Sequence, residues 1–158
     1  MEKIFALSIL ISIILFSGCN KNVVFDKSQK IDDYIWNKQN IIEFDFTVND
    51  TISTHLISFE IRHVTHFMYD NLLVELIIVT PSADTFSQDI TLPIRDKEHE
   101  FKGKGAGDIW DISIPVFYNF NFTEKGKYKF QIKNAMPEAK TIAIMEVGIK
   151  IKKEVKNK

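Results

Sequence analysis

The chain has 158 residues, with 20 Lys and Arg against 21 Asp and Glu, a net charge of −1 and one cysteine. That length holds a single domain with a sizeable core. The balanced charge lacks the basic excess of a nucleic-acid binder, and one thiol cannot close an intramolecular disulfide.

Glu2 and Lys3 open the chain, residues 4–16 run apolar apart from Ser8 and Ser12, and Ser17, Gly18 and Cys19 follow. A charged start, an apolar run of about 7–15 residues and small residues before a cut describe a secretory signal peptide. The run falls short of the roughly 20 apolar residues of a membrane span. Phe16-Ser17-Gly18-Cys19 resembles the bacterial lipobox, in which small residues fit the peptidase and the cut precedes a lipidated cysteine; Phe16 stands where Leu is more usual. The alternative is an ordinary secreted protein with an incidental cysteine. The expected layout is a signal peptide over 1–18 recognised through Phe16, Ser17 and Gly18, a lipidated tether over 19–23, a β-sandwich over 24–153 and a frayed tail over 154–158. The covalent lipid on Cys19 is the only cofactor expected, with no metal. A diacylglycerol plus an amide-linked chain exceeds the two signals that stable anchoring requires. Five steps from Cys19 to Val24 span at most about 18 Å, so the domain sits close to the membrane. Asn20 is not the Asp that retains lipoproteins in the inner membrane, and no acidic cluster follows Cys19. Both point to the outer membrane, facing the periplasm.

Residues 23–25 read as an edge strand, and Ile31, Tyr34 and Ile35 have the three-and-four spacing of a short helix, docked by Trp36. From residue 41 the period becomes two. Ile42, Phe44, Phe46 and Val48 share one parity and Glu43, Asp45 and Thr47 the other, a strand with one wet face. Asn49-Asp50-Thr51 is turn chemistry. A second strand follows over 57–63. Residues 72–80 are apolar on both faces, the mark of a central strand with Glu75 as its exception, closed by Pro81. Residues 85–94 form a fourth strand, with Pro93 marking its end or an edge. Residues 95–108 read as a charged, Gly-rich loop. Trp110, Ile112, Ile114, Val116, Tyr118, Phe120 and Phe122 then share the even, core parity; Phe117 is the apolar intruder on the wet side and Pro115 marks a bulge or break. Thr123-Glu124-Lys125-Gly126 is a hairpin turn leading into a strand over 127–133. Residues 134–140 are a loop, and a last strand covers 145–151. The pattern predicts an all-β fold, an antiparallel β-sandwich of jelly-roll or immunoglobulin-like type with about seven to eight strands.

Few motifs carry chemistry. Gly103-Lys104-Gly105-Ala106-Gly107-Asp108 lacks the Gly-Lys-Ser/Thr of a phosphate loop and precedes a strand pattern, not a helix. His63 and His66, with His55 and His99 as further candidates, are spaced so that the pair points to opposite faces of a strand, which is poor for chelation. No Gly-x-Ser-x-Gly nucleophile elbow is present. Carboxylates fall on wet strand parities, so no enzyme is expected. Phe67, Phe101 and Phe117 either pack under loops or form an exposed patch. The residues selected as a partner interface are Arg62, Phe101, Trp110 and Phe117. Lys150, Lys152, Lys153, Lys156 and Lys158 read as a solvated edge that discourages aggregation.

Several pieces, in their order and spacing, resemble one family. They are Phe25-Asp26, Trp36, Phe44-Asp45-Phe46, Ile61-Arg62, Tyr69-x-Asn71-Leu72, Pro81 with Asp84-Thr85, and Gly103-x-Gly105-x-Gly107-Asp108-Ile109. Phe122-x-x-x-Gly126-x-Tyr128-x-Phe130, Ala135-Met136 and Val147-Gly148-Ile149 complete the set. With the lipobox, the chain resembles the GldH gliding-motility lipoproteins of Bacteroidetes over nearly all of its mature length. It departs at His63, where Asn commonly follows the Arg, and at Pro137, where Arg commonly follows Ala-Met. The resemblance implies a role in gliding and in the associated type IX secretion apparatus, with other gliding and secretion lipoproteins and the envelope machinery as partners. It carries over no catalytic residues. Asp50-Thr51-Ile52 resembles the O-glycosylation acceptor of that phylum, which would place a glycan on Thr51. The alternative function is a glycan- or peptidoglycan-binding lipoprotein using surface aromatics.

Overall fold

The computed structural model describes residues 22–154; the signal peptide, Phe16, Ser17, Gly18, Cys19, the first tether residues and the last four residues lie outside it. The described residues form eleven strands: β1 (Val23–Lys30), β2 (Ile35–Asn37), β3 (Ile42–Val48), β4 (Thr54–Val64), β5 (Asn71–Val79), β6 (Thr85–Pro93), β7 (Lys104–Ala106), β8 (Ile109–Asn121), β9 (Gly126–Asn134), β10 (Lys140–Ile142) and β11 (Ile144–Lys153). One sheet runs β1-β11-β4-β8-β7, a second runs β3-β9-β5-β6, and β10 pairs with β2 in a short ribbon. Every pairing among them is antiparallel. Phe25 of β1 meets Phe44 and Phe46 of β3 at 6.1 and 5.3 Å, which shows the two large sheets facing across one core.

The chain crosses between the two large sheets from β1 to β3, to β4 and to β5, stays for β6, then crosses to β8, β9 and β11. This path over eight long strands is a jelly roll, which decides between the two sandwich types expected. The three further strands, β2, β7 and β10, are three residues each. Among the described residues no helix is long and apolar enough to cross a membrane.

The parity reading holds best in β3, where Ile42, Phe44, Phe46 and Val48 are buried and the residues between them exposed. β5 is central, between β9 and β6, and Glu75 escapes the core by accepting Ser87 Oγ at 2.7 Å and facing Lys133 Nζ at 3.2 Å. β6 is the edge strand that Pro93 suggested.

Four expectations need correction. The lysines of the last strand do not line an edge: β11 lies inside the five-stranded sheet between β1 and β4, and Lys150 is paired with Asp26 and Glu60. The helical spacing around residue 31 does not give a docked α-helix. β1 continues to Lys30 because its backbone pairs with β11 as far as Lys30 opposite Glu146, and only a single 3-10 turn, Asp32–Tyr34, separates it from β2. The Gly-rich loop holds β7, which pairs residue for residue with Ile109–Asp111 of β8. The even parity of β8 breaks at Pro115. Opposite β4, Ser58 faces Pro115, Ile57 faces Phe117 and His55 faces Phe120, so β8 carries extra residues at two bulges. Phe117 therefore turns inward to half-burial, and Tyr118, expected in the core, is 65 % exposed.

Candidate functional site

The outer face of the five-stranded sheet carries the densest polar arrangement. Antiparallel register lines up Glu146, Arg62 and Asp111 in one row, and Ser28, Gly148, Glu60 and Ser113 in the next. Outward parity alone brings these side chains together, from four strands far apart in sequence. Gly148 leaves a bare spot in the middle; a Cβ there would stand 2.2 Å from Ser28 Oγ and 2.6 Å from the Lys27 carbonyl oxygen. Above it opens a groove of about 230 Å³ walled by Asp26, Ser28, Glu60, Arg62, Asp111 and Glu146.

Arg62 is the centre of that groove. Its Nε and Nη2 donate to the two oxygens of Asp111 at 2.7 and 3.1 Å, and Nη1 donates to Glu146 at 3.1 Å. This is the bidentate fork that guanidinium geometry favours, and the Asp111 hydrogen bonds hold the Arg62 pKa above its usual value. Lys150 lies 3.1 Å from Asp26 and 3.3 Å from Glu60, which also accepts Ser113 Oγ at 2.6 Å. The carboxylates of the groove are thus already engaged by neighbours on the same sheet.

Phe101 and Trp110 come together at the end of the sandwich that carries loops 65–70 and 94–103. Their ring centroids are 5.4 Å apart. Phe101 is sandwiched: the Arg95 guanidinium lies 3.6 Å from its centroid and His63 4.8 Å away. Arg95 is itself pinned by donating to the carbonyls of His99 at 2.7 Å and Phe67 at 3.1 Å. Phe67 is fully buried, so it belongs to packing rather than to a surface patch. Trp110 lies flat against Gly105, where a Cβ would sit 2.8 Å from the indole ring. At Gly103, with φ of +97°, a Cβ would stand 2.2 Å from the Asp111 carbonyl oxygen. The glycines of this motif let β7 close onto β8 and Trp110.

His63 is fully buried and His66 exposed, the opposite orientations that their spacing implies. His63 Nδ1 lies 3.1 Å from the Val64 carbonyl oxygen, while Nε2 has no partner. Burial pushes its imidazole below the usual pKa, with the Arg95 charge acting in the same direction. His55 is likewise buried and lowered by desolvation. His99 is on the surface, 3.0 Å from Asp70. Among the described residues no group of three or more His, Cys, Asp or Glu is arranged to hold a metal ion.

Phe117 stands apart from both clusters. It contacts Phe86 at 6.4 Å and Phe120 at 5.7 Å on the flank where β6 and the bulged half of β8 run as sheet edges. A groove of about 320 Å³ separates those edges. The four residues selected as one interface thus fall in three places: Arg62 on the outer face, Phe101 and Trp110 under the end loops, and Phe117 on the flank. Arg95 stacks on Phe101, and Phe117 is half-buried between Phe86 and Phe120. Thr51 is partly buried in the loop between β3 and β4.

Two residues carry structural weight beyond what the chain signals: Asn134 had no individual signal, and Asp50 read only as turn chemistry. Asn134 is buried at the end of β9, donates to Trp36 O at 2.8 Å and to Thr141 Oγ1 at 2.9 Å, and accepts from Met136 N at 3.0 Å. It fastens the β2–β10 ribbon to the second sheet. Asp50 caps its own loop and reaches Lys153 Nζ at 2.6 Å, 103 residues away.

Residues 23–151 match the family model described as GldH lipoprotein. A gliding motility lipoprotein GldH homolog from Christiangramia forsetii is 29 % identical over 161 aligned positions, covering 97 % of this chain and 98 % of that one. The gliding motility lipoprotein GldH of Flavobacterium johnsoniae is 28 % identical over 153 positions, covering 92 % and 94 %. Among solved structures, the VP2 subviral particle of infectious bursal disease virus aligns with 81 % of this chain and 32 % of its own, at TM-score 0.38 and 14 % identity. The family match spans the jelly roll from its first strand into its last, and the chain belongs to the GldH lipoprotein family.

Proposed function

We propose that this chain is a non-catalytic, lipid-anchored component of the cell envelope that supports gliding motility, type IX protein secretion or both through protein–protein contacts. The observation that carries the reading is the end-to-end match to relatives named gliding motility lipoproteins, on a domain whose first strand begins four residues after Cys19. Cys19 carries the lipid, and the domain faces the periplasm from the outer membrane. A noncatalytic role agrees with the outer-face groove, where Arg62, Lys150 and Ser113 already engage the surrounding carboxylates.

Mild crosslinking in the native cells, followed by affinity capture of the lipidated protein and mass spectrometry, tests this reading. Recovery of other envelope lipoproteins or secretion components is expected. Capture of soluble glycans without any envelope protein would favour the glycan-binding alternative.

A further inference from the structure

The end of the sandwich at which the chain enters can be identified strand by strand. Asn22 O accepts Lys153 N at 2.8 Å, and Glu154 N donates to Thr54 O at 2.9 Å. Thr54 pairs with Asn121, and Asn119 N donates to Glu154 Oε2 at 2.9 Å. The start of β1, the end of β11, the start of β4 and the end of β8 therefore share one rim. Loop 49–53 joins that rim, because Asp50 Oδ2 accepts Lys153 Nζ at 2.6 Å.

Three apolar side chains project from this rim. Ile52 is 90 % exposed, Tyr118 65 % and Val24 43 %. Ile52 is held out by a braced loop: Asp50 Oδ1 accepts Ile52 N at 2.9 Å and Ser53 N at 3.2 Å, and Asp50 Oδ2 accepts Ser53 Oγ at 2.7 Å. Tyr118 sits in the bulged stretch of β8, which turns it away from the core. The carboxylates nearby are engaged, Asp50 by Lys153, Glu154 by Asn119 N and Glu124 by Ser82 Oγ at 2.9 Å. Lys125 is exposed, and Lys21, Lys156 and Lys158 flank the rim in the sequence. An apolar tip, a tyrosine and the exposed Lys125 beside them are the chemistry of a surface that meets phospholipid.

Of the other exposed apolar side chains, Met68, Ile109 and Ile142 lie at the opposite end, and Phe86 lies on the flank beside Phe117. The tether decides between the two ends. Three steps separate Cys19 from Asn22, a reach of at most about 11 Å. A lipid on Cys19 brings this rim, and not the loops around Met68, against the bilayer. Resting on the lipidation of Cys19, we infer that Ile52, Tyr118 and Val24 form a membrane-seating rim that docks on the phospholipid surface. It holds the jelly roll upright, with loops 65–70 and 94–103 facing away from the bilayer.

The test uses the full, lipidated chain in vesicles of phosphatidylethanolamine and phosphatidylglycerol. The lipid occupies the only native thiol, so Ile52→Cys and Met68→Cys variants each take one environment-sensitive fluorophore. Quenching by lipid-borne nitroxide at position 52 should exceed that at position 68 at least twofold, with iodide quenching reversed. Equal iodide access at the two positions overturns the rim while leaving the anchor intact. Intact mass reports the anchor separately: a chain without the lipid mass overturns both. A glycan mass on Thr51, which would hold the loop off the bilayer, also overturns the rim.

Discussion

Replacing the three glycines of the 103–107 motif one at a time by alanine separates a packing role from a ligand-cradling one. At Gly103 a Cβ would stand 2.2 Å from a backbone carbonyl oxygen, at φ of +97°. A non-glycine residue in that region costs about 1–3 kcal/mol. The obstructing atom is main chain, so relief requires β7 to move off β8. At Gly105 the φ is ordinary and the obstruction is the Trp110 ring at 2.8 Å, an overpacking of about 1–3 kcal/mol. At Gly107 nothing lies within 4 Å and only the φ of +61° is adverse. The left-handed penalty of about 1–2 kcal/mol is there partly offset by the stiffer unfolded chain. Urea unfolding should rank the losses Gly103 greatest, Gly105 next and Gly107 least, about 1 kcal/mol or below. Trp110 fluorescence should shift most in the Gly105 variant. Equal losses at all three positions, or the largest at Gly107, would contradict the packing account of the motif.

Other expectations follow from buried and paired groups. His55 and His63 are buried with imidazole pKa values pushed down, so between those values and the unfolded value of about 6.5 the unfolded chain binds more protons. Stability should be flat above that window and fall as pH drops through it, by at most about 1.4 kcal/mol per pH unit per histidine. His63→Phe should shallow the slope, and a urea midpoint unchanged from pH 7.5 to 5 would count against burial. Asn134→Ala strands Trp36 O, Thr141 Oγ1 and Met136 N and should cost about 2–4 kcal/mol; a loss under 1 kcal/mol by thermal unfolding would show that the ribbon is fastened otherwise. Arg62→Ala removes ion pairs at a side chain 40 % exposed, so it should cost no more than about 1 kcal/mol. A loss above 2 kcal/mol would mean that the outer-face row is a structural keystone.

How far the chain could be read depended on how local the cause was. β3 was legible because one buried face and one wet face write themselves as alternation, and Pro93 at an edge followed from its missing donor. β8 was legible only to Pro115. Pro115 signalled a bulge and Phe117 broke the parity, but the two bulges are set by register against β4, so the exposure of Tyr118 had no local signal. The helical spacing at Ile31, Tyr34 and Ile35 lost to pairing with β11, more than a hundred residues away. The Arg62 row and the Asp50–Lys153 contact likewise arise from topology. Gly148 carried a signal that the strand pattern left unused: a glycine inside a strand marks close backbone approach, here of Lys27 and Ser28.

Most direct for the anchored-component account is a Cys19→Ala chain expressed in the native cells at wild-type level. Membrane fractionation should find it released to the soluble fraction, with gliding or type IX secretion lost while the purified domain keeps the wild-type unfolding midpoint. A Cys19→Ala protein that stays in the membrane fraction and sustains both activities would contradict it.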